Sequence, residues 1–218
     1  MEKRYDWKEV GFEHFSRMYS ELCAGDIVER CGVPYNPQEG FSVRLMGTEH
    51  RISHPHFEPV IVPRAGLAEV PQPCSASLAE QMVMLRYLCE GTWSPAGAGR
   101  LSYREIPWGE TYFANFEGRC IKRLARSFGT EPETFSAIFE NTPSLRAEKL
   151  PKHTGYRFEF MSNLFFTFII WPGDEEFPSQ AQILFDDNIP AAFTAEDLAV
   201  CCDIALNRLK SIAQSIDR

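Results

Sequence analysis

The chain has 218 residues, 44% hydrophobic and 24% charged, which is the composition of an ordinary folded protein with a real core. Its net charge of −8 argues against nucleic acid as the main partner, because binding phosphates requires an excess of lysine and arginine. Seven cysteines without a C-x-x-C pair, no apolar signal core and no apolar run long enough to cross a bilayer predict a cytoplasmic protein with reduced thiols and no membrane partner.

The first 90 residues alternate between helical and extended patterns. Helical spacing predicts a helix over 5–31, and alternation around a glycine turn predicts a β-hairpin over 41–53. Residues 54–74 are rich in proline and histidine, so we expect an irregular segment with at most a short edge strand at 60–62. A serine-capped helix over 75–90 follows.

The middle of the chain predicts a loop, a short extended piece and two helices. The loop over 91–100 contains three glycines and precedes the extended piece at 101–106. The spacing of apolar residues predicts a helix over 112–128. A second, shorter helix over 130–141 has Thr130 as its predicted cap and a proline in its first turn.

The last third predicts three strands and a closing helix. Apolar residues alternate with polar ones over 156–160, and apolar runs follow over 164–171 and 181–185. Thr194 caps the final helix. Because strands adjoin one another and helices come in separate blocks, we predict an α+β fold: a largely antiparallel sheet with helices packed on it, in a single domain over 1–218.

An acidic turn lies between two of these strands. Asp174, Glu175 and Glu176 follow Trp171, and such crowded carboxylates need water, a cation or backbone amides around them. The turn is therefore either a solvated loop, a partner-binding surface, or a metal or catalytic site. If the flanking strands pair as a hairpin, the acidic residues at 186–187 lie about 15–20 Å away, and the two clusters cannot share a metal. If the strands do not pair directly, a joint site becomes possible.

Three histidines cluster in the irregular segment and just before it. His54 and His56 follow His50 closely, and histidine is a frequent ligand of transition metals. A complete site needs further ligands, for which the sequence offers Cys31, Cys74 and Glu58 without a recognisable spacing. Surface or capping roles are the alternative for these histidines.

A mixed polar and aromatic group lies around a glycine turn in the middle of the chain. Arg104, Trp108, Tyr112 and Arg119 could line a pocket for an anionic or flat ligand. The alternative is packing between a loop and a helix.

Several spaced motifs carry a resemblance to a known family. They are Leu101-Ser-Tyr-Arg-Glu-Ile-Pro, then Tyr112, Phe116 and Arg119, the segment from Trp171 to Pro178, Ile183-Leu-Phe-Asp and Glu196-Asp-Leu-Ala. In this order they resemble the prokaryotic "domain of unknown function 3786" family over about residues 15 to 210. The resemblance implies a bacterial or archaeal origin, often anaerobic, and some relatives carry an added iron–sulfur domain. This chain lacks a four-cysteine cluster motif, and the family has no established catalytic residues to carry over.

Two functional hypotheses follow. The absence of the common catalytic motifs favours a non-catalytic cytoplasmic protein of unknown function that binds a ligand or partner, with an accessory role in anaerobic redox or cofactor metabolism. The alternative is a metal-assisted hydrolase in which the acidic turn 174–176 works with a histidine from 50–56. The sequence decides neither whether the protein is an enzyme nor which cofactor or partner it takes.

Overall fold

The computed structural model describes residues 7–63 and 74–216, with only the backbone of residues 7–10. The helices are α1 (Trp7–Glu21), α2 (Ala24–Cys31), α3 (Leu78–Glu90), α4 (Gly109–Phe116), α5 (Lys122–Phe128), α6 (Pro132–Glu140), α7 (Ile189–Ala192) and α8 (Ala195–Ile216). The strands are β1 (Tyr35–Asn36), β2 (Gly40–Leu45), β3 (Thr48–Ile52), β4 (Pro59–Ile61), β5 (Arg100–Ser102), β6 (Glu148–Lys149), β7 (Thr154–Met161), β8 (Leu164–Trp171) and β9 (Gln180–Asp186). A π-helical turn, Glu117–Ile121, joins α4 to α5, and short 3₁₀ helices lie at Tyr103–Glu105 and Pro143–Leu145.

The strands of the described residues form one antiparallel sheet. Its main order is β4-β3-β2-β7-β8-β9-β5, with β1 beside β2 and β6 beside β7. The two halves meet where Leu45 pairs with Met161, and the amide of Met46 extends this contact by donating to the carbonyl of Phe160 at 2.8 Å. The α+β prediction with a largely antiparallel sheet is therefore confirmed.

Aromatic side chains of the central strands form the core beneath the helices. The ring of Phe166 lies 4.5 Å from that of Phe160 and 4.9 Å from that of Phe185, measured between centroids. α5 and α6 pack on β7, β8 and β9, while α8 packs against α3, α4 and α6. Because each such side chain removes roughly 150–250 Å² from water, this aromatic layer contributes strongly to stability.

Strand β7 follows the predicted alternation, with an unexpected burial on its outer face. Phe158 and Phe160 lie in the core, and Arg157 points to the other side of the sheet with Glu159. Glu159 is nevertheless buried, because Arg44 of β2 donates to both of its carboxylate oxygens at 2.8 and 2.9 Å. A buried carboxylate requires such a partner.

The two strands that flank the acidic turn pair directly, as the β8–β9 hairpin. Trp171 pairs with Gln180, so Asp174 lies in the hairpin loop and Asp186 ends β9 at the far end of the sheet. Six residues at about 3.3 Å each separate these ends by roughly 20 Å. Asp186 is buried and accepts hydrogen bonds from Arg157, the shortest at 2.6 Å. The two acidic clusters therefore do not form one site.

Three predicted helix boundaries were wrong. The single helix predicted over 5–31 is interrupted before Ala24 and forms the two helices α1 and α2. The helix predicted from Tyr112 begins at Gly109. The cap of α6 is not Thr130, because Pro132 occupies the first helical position, where its fixed φ angle suits the start of a helix.

The Pro/His-rich segment 54–74 is only partly described. β4 lies within it and pairs with β3 at the edge of the sheet, close to the predicted edge strand. The remaining stretch, 64–73, lies outside the described residues, as do residues 1–6. None of the helices in the described ranges combines the length and the apolar composition needed to cross a membrane.

Candidate functional site

A groove with a cavity volume of about 580 Å³ runs between α3 and α8. Sites for drug-sized ligands usually measure roughly 300–1,000 Å³. One face of α8 forms the floor, the first turns of α3 form one wall, and Arg119 of the π-helical turn lies on the other wall. The lining residues are Ser77, Leu78, Ala79, Glu80, Met82, Arg119, Val200, Asp203, Ile204, Asn207, Arg208 and Ser211.

The floor is a single stripe along α8. Val200, Ile204 and Ser211 lie within about 40° of one another, because successive residues of an α-helix turn by about 100°. Asp203 and Asn207 lie to one side of this stripe. From Val200 to Ser211 the helix rises about 17 Å, which sets the length of the groove.

The polar wall is a network of two arginines around one carboxylate. The Nε of Arg119 donates to Oδ2 of Asp203 at 2.6 Å, and Nη1 of Arg123 donates to Oδ1 at 3.1 Å. Nη2 of Arg123 also donates to Oδ1 of Asn207 at 2.5 Å. Asp203 therefore holds the π-helical turn and α5 against α8, while the side chain of Arg119 remains 44% exposed.

The π-helical turn explains the position of Arg119. Phe116, Cys120, Leu124 and Phe128 are all buried at intervals of four residues. In a regular α-helix each such step overshoots a full turn by about 40°. The wider π turn offsets this drift, keeps the four side chains on the core, and leaves Arg119 beside α8. Such turns occur frequently at functional sites.

The opposite wall is mostly apolar and begins at a capped helix end. Ser77 and Glu80 form a capping box, with the Ser77 amide donating to the Glu80 carboxylate at 2.7 Å. Next to this cap, Leu78 is 46% exposed and Met82 is partly buried. Burial lowers the pKa of the Arg208 guanidinium, and the nearby Glu80 carboxylate opposes that lowering.

The chemistry of the groove suits binding. Its carboxylate Asp203 is held by two arginines, and Glu80 is engaged in the helix cap. Cys201 and Cys202 lie on the buried side of α8, where burial raises the pKa of both thiols well above the ordinary value. They are therefore thiols rather than nucleophilic thiolates at neutral pH.

The acidic turn folds on itself at one end of the sheet. Oδ1 of Asp174 accepts hydrogen bonds from the amides of Glu176 and Phe177, at 2.9 and 2.7 Å. Glu175, Glu176 and the half-exposed Trp171 face solvent. Within the described residues, none of the three carboxylates forms an ion pair.

The predicted polar and aromatic group is divided by the structure. Arg104 lies 3.8 Å over the ring of Phe113 and donates to Glu110 at 2.6 Å, and the exposed Tyr112 is close by on α4. Arg119 is two helical turns further on and belongs to the groove. Ser179, beside the acidic turn, contacts the carbonyl of residue 125 near the end of α5, so the acidic turn lies roughly 20 Å from Arg104.

The histidines occupy three different environments. The Nε2 of His54 is 3.0 Å from the carbonyl of Leu22, and its ring lies 5.2 Å from that of Tyr19. His56 is exposed and His50 is buried in β3. Across 7–63 and 74–216, no group of three histidine, cysteine or acidic residues is arranged to hold a metal ion.

The structure does not bring together the acidic turn and the histidines 50–56, which the alternative of a metal-assisted hydrolase requires. β3 is separated from β8 by β2 and β7, which amounts to about 14 Å at roughly 4.8 Å per strand. The acidic turn also lies at the end of β8 remote from the β2–β7 contact.

The floor of the groove was missed by sequence reasoning, although a signal was present. The main apolar stripe of α8 contains Leu198, Ala205 and Leu209, and all three are buried. Val200 and Ile204 fall outside that stripe and are spaced by four residues, which indicates a second apolar face on the same helix. Only the packing of α3 beside it shows that this face lines a groove.

Comparison with known proteins identifies the family of this chain. Residues 24–208 match the model of the family described as "Domain of unknown function (DUF3786)". Comparisons with curated proteins and with solved structures gave no match. Because the match covers most of the 218 residues and agrees with the motifs from Leu101 to Ala199, the chain belongs to the DUF3786 family, whose function is unknown.

Proposed function

We propose that this protein is a non-catalytic binding protein that holds a small-molecule ligand in the groove between α3 and α8. The groove itself supports this proposal: it has the volume of a small-molecule site, apolar side chains from both α3 and α8, and a few polar groups fixed among them. Those polar groups are held in place before any ligand arrives, because Asp203 is hydrogen-bonded to both Arg119 and Arg123. A site with fixed donors loses little side-chain entropy when it binds.

The apolar part of the groove is suited to a ligand with a substantial hydrocarbon body. Leu78, Met82, Val200 and Ile204 present flexible or branched aliphatic side chains around a common space. Methionine adapts its shape to a ligand at little energetic cost.

The test uses 8-anilino-1-naphthalenesulfonate as a fluorescent apolar probe. We expect one saturable site on the folded wild-type chain. Val200→Trp should fill the floor and weaken probe binding at least tenfold, while Val60→Trp, on the exposed edge strand β4, should leave it unchanged. Equal effects of the two substitutions, with circular dichroism showing both variants folded, would contradict the proposed function.

The cellular setting and the other predicted surfaces remain part of the same proposal. We place the protein in the cytoplasm as one domain, in an accessory role to anaerobic redox or cofactor metabolism; its seven cysteines are free thiols, which supports a reducing compartment. The acidic turn with Trp171 and the group around Arg104 and Tyr112 are proposed contact surfaces for a partner. Both are exposed, and the neighbouring Trp108, just before α4, is 79% exposed.

A further inference from the structure

Charged side chains lie on both sides of the groove between α3 and α8. On one side, Asp203 accepts hydrogen bonds from Arg119 and Arg123. On the other side, the carboxylate of Glu80 lies close enough to Arg208 to oppose the lowering of its pKa by burial. Three guanidinium groups thus face two carboxylates, which leaves one positive charge in excess at the groove. The whole chain has a net charge of −8, so this excess is a local feature.

Arg119 is the group through which a ligand can reach the excess charge. Its Nε and Nη2 atoms both contact Oδ2 of Asp203. Among the residues that the structure describes, its third nitrogen, Nη1, has no hydrogen-bond partner, and 44% of the side chain is exposed. Arg123 differs, because its Nη1 and Nη2 atoms already donate to Asp203 and Asn207. A ligand oxygen at Nη1 would accept a charge-assisted hydrogen bond from a guanidinium that is already held in place.

The part of the groove next to Arg119 is apolar. Asp203, which holds Arg119, is followed directly by Ile204 and lies three residues after Val200, so both side chains are within about 5 Å of it along the helix axis. Met82 of α3 lines the same space. An acidic group bound at Arg119 would therefore bring the rest of its molecule onto these side chains, where the burial of hydrocarbon is favourable.

We infer that the ligand of this groove is a singly charged organic anion, with an acidic oxygen group that accepts from Nη1 of Arg119 and an apolar body that covers Val200 and Ile204. The inference rests on the proposed function and narrows it to a ligand class. A cation would find no carboxylate to pair with, because Asp203 and Glu80 are engaged by arginines and by the cap of α3. A neutral molecule of the same shape would gain the apolar contacts without the charge-assisted hydrogen bond.

Two dyes that differ by one group test the charge of the ligand. 8-Anilino-1-naphthalenesulfonate carries one negative charge, and N-phenyl-1-naphthylamine is the same ring system without the sulfonate. Both dyes fluoresce strongly only in apolar surroundings, so titration of each on the wild-type chain gives its dissociation constant. We expect the sulfonate to bind at least tenfold more tightly, although the neutral dye is the more hydrophobic of the two.

Variants locate the contact of the sulfonate. Arg119→Met should weaken sulfonate binding about tenfold, the effect of one charge-assisted hydrogen bond, and should leave binding of the neutral dye unchanged. Arg126→Met, which removes an exposed arginine of α5 outside the groove, should change neither. Val200→Trp, which fills the floor, should weaken both dyes. If Arg119→Met does not fold, the ranking of the two dyes on the wild-type chain decides between an anionic and a neutral ligand.

The results distinguish this inference from the proposed function. If the neutral dye binds as tightly as the sulfonate, or more tightly, the ligand is not an anion, and the groove remains a small-molecule site. Saturable binding of neither dye would remove both proposals. Sulfonate binding that Arg119→Met does not weaken, or that Arg126→Met weakens equally, would overturn the inference, because the acidic group would then contact another surface.

Discussion

Replacing Arg44 tests how strongly the buried carboxylate of Glu159 depends on its partners. Glu159 is 1% exposed, and Arg44, which donates two hydrogen bonds to it, keeps 35% of its side chain exposed. Arg44→Met leaves the carboxylate buried with only Arg146 and the amide of Asn163. Breaking a buried pair costs about 3–5 kcal/mol, and we expect about 3 kcal/mol because two partners remain.

Arg51→Met is the matched control. Arg51 has the same side-chain exposure of 35%, but its partners Glu49 and Glu39 are 38% and 58% exposed. Exposed pairs of this kind contribute about 0–1 kcal/mol. Urea unfolding followed by circular dichroism at neutral pH measures both losses. If Arg44→Met lowers the free energy of unfolding no more than Arg51→Met does, the burial of Glu159 does not make its ion pair with Arg44 worth more than an exposed pair.

The pH dependence gives a second readout. Burial alone would raise the pKa of Glu159, but the hydrogen bonds from Arg44 and Asn163 outweigh it and hold the pKa below the ordinary value of 4.5. The stabilisation is therefore present above pH 4.5 and is lost as the pH falls through the lower pKa of the folded state. In Arg44→Met burial should dominate, so the deficit should be greatest at neutral pH and should shrink in acid. A deficit that grows on acidification would refute the reasoning.

Three further predictions concern other parts of the fold. Gly47→Ala should lower the free energy of unfolding by about 1–2 kcal/mol, because Gly47 has φ +76° and a Cβ there would lie 2.6 Å from Oγ of Ser144. Gly118→Ala, where a Cβ would meet open space, should not lower it, and equal urea midpoints for the two variants would contradict this prediction. Burial lowers the pKa of His50, and the Glu80 carboxylate opposes this lowering. Because the ring in the unfolded chain takes up its proton first, the stability of the wild-type protein should fall as the pH drops below 6.5. His50→Leu should abolish this pH dependence of the stability between about pH 7.5 and 5.5, and a retained dependence would show that another group causes it. Arg30 donates hydrogen bonds of 2.5 and 2.7 Å to the carbonyls of Gly91, which caps the C-terminal end of α3, and of Leu88 in its last turn. Arg30→Met should therefore lower the free energy of unfolding by about 2 kcal/mol and speed amide exchange at that helix end; unchanged exchange would show that water replaces the guanidinium.

The sheet was largely predictable because its signals are local. Alternation in β7 and the two apolar runs of β8 and β9 specify strands and their buried faces, and Gly47 supplies the turn of the β2–β3 hairpin. The contact of Leu45 with Met161 could not be read in this way. It joins residues more than 100 positions apart, and it lies beside the β7–β8 turn, where Ser162 and Asn163 adopt left-handed backbone with φ of 31° and 65°. Neither β2 nor β7 carries a sequence pattern that identifies the strand with which it pairs.

The position of Arg119 shows why the candidate site was less predictable than the sheet. The sequence analysis placed Arg119 with Arg104 and Tyr112 around a glycine turn, and it predicted a helix over 112–128 with no irregularity. The π turn at Glu117–Ile121 adds backbone within that helix, and one added residue rotates everything beyond it by about 100°. Buried residues at intervals of four were a sign of this irregularity, but they do not fix where it falls. Its location depends on Asp203, whose carboxylate binds Arg119 and Arg123 together, and Asp203 is some 80 residues away in the chain. The binding wall is thus a product of helix packing, which a single sequence does not display.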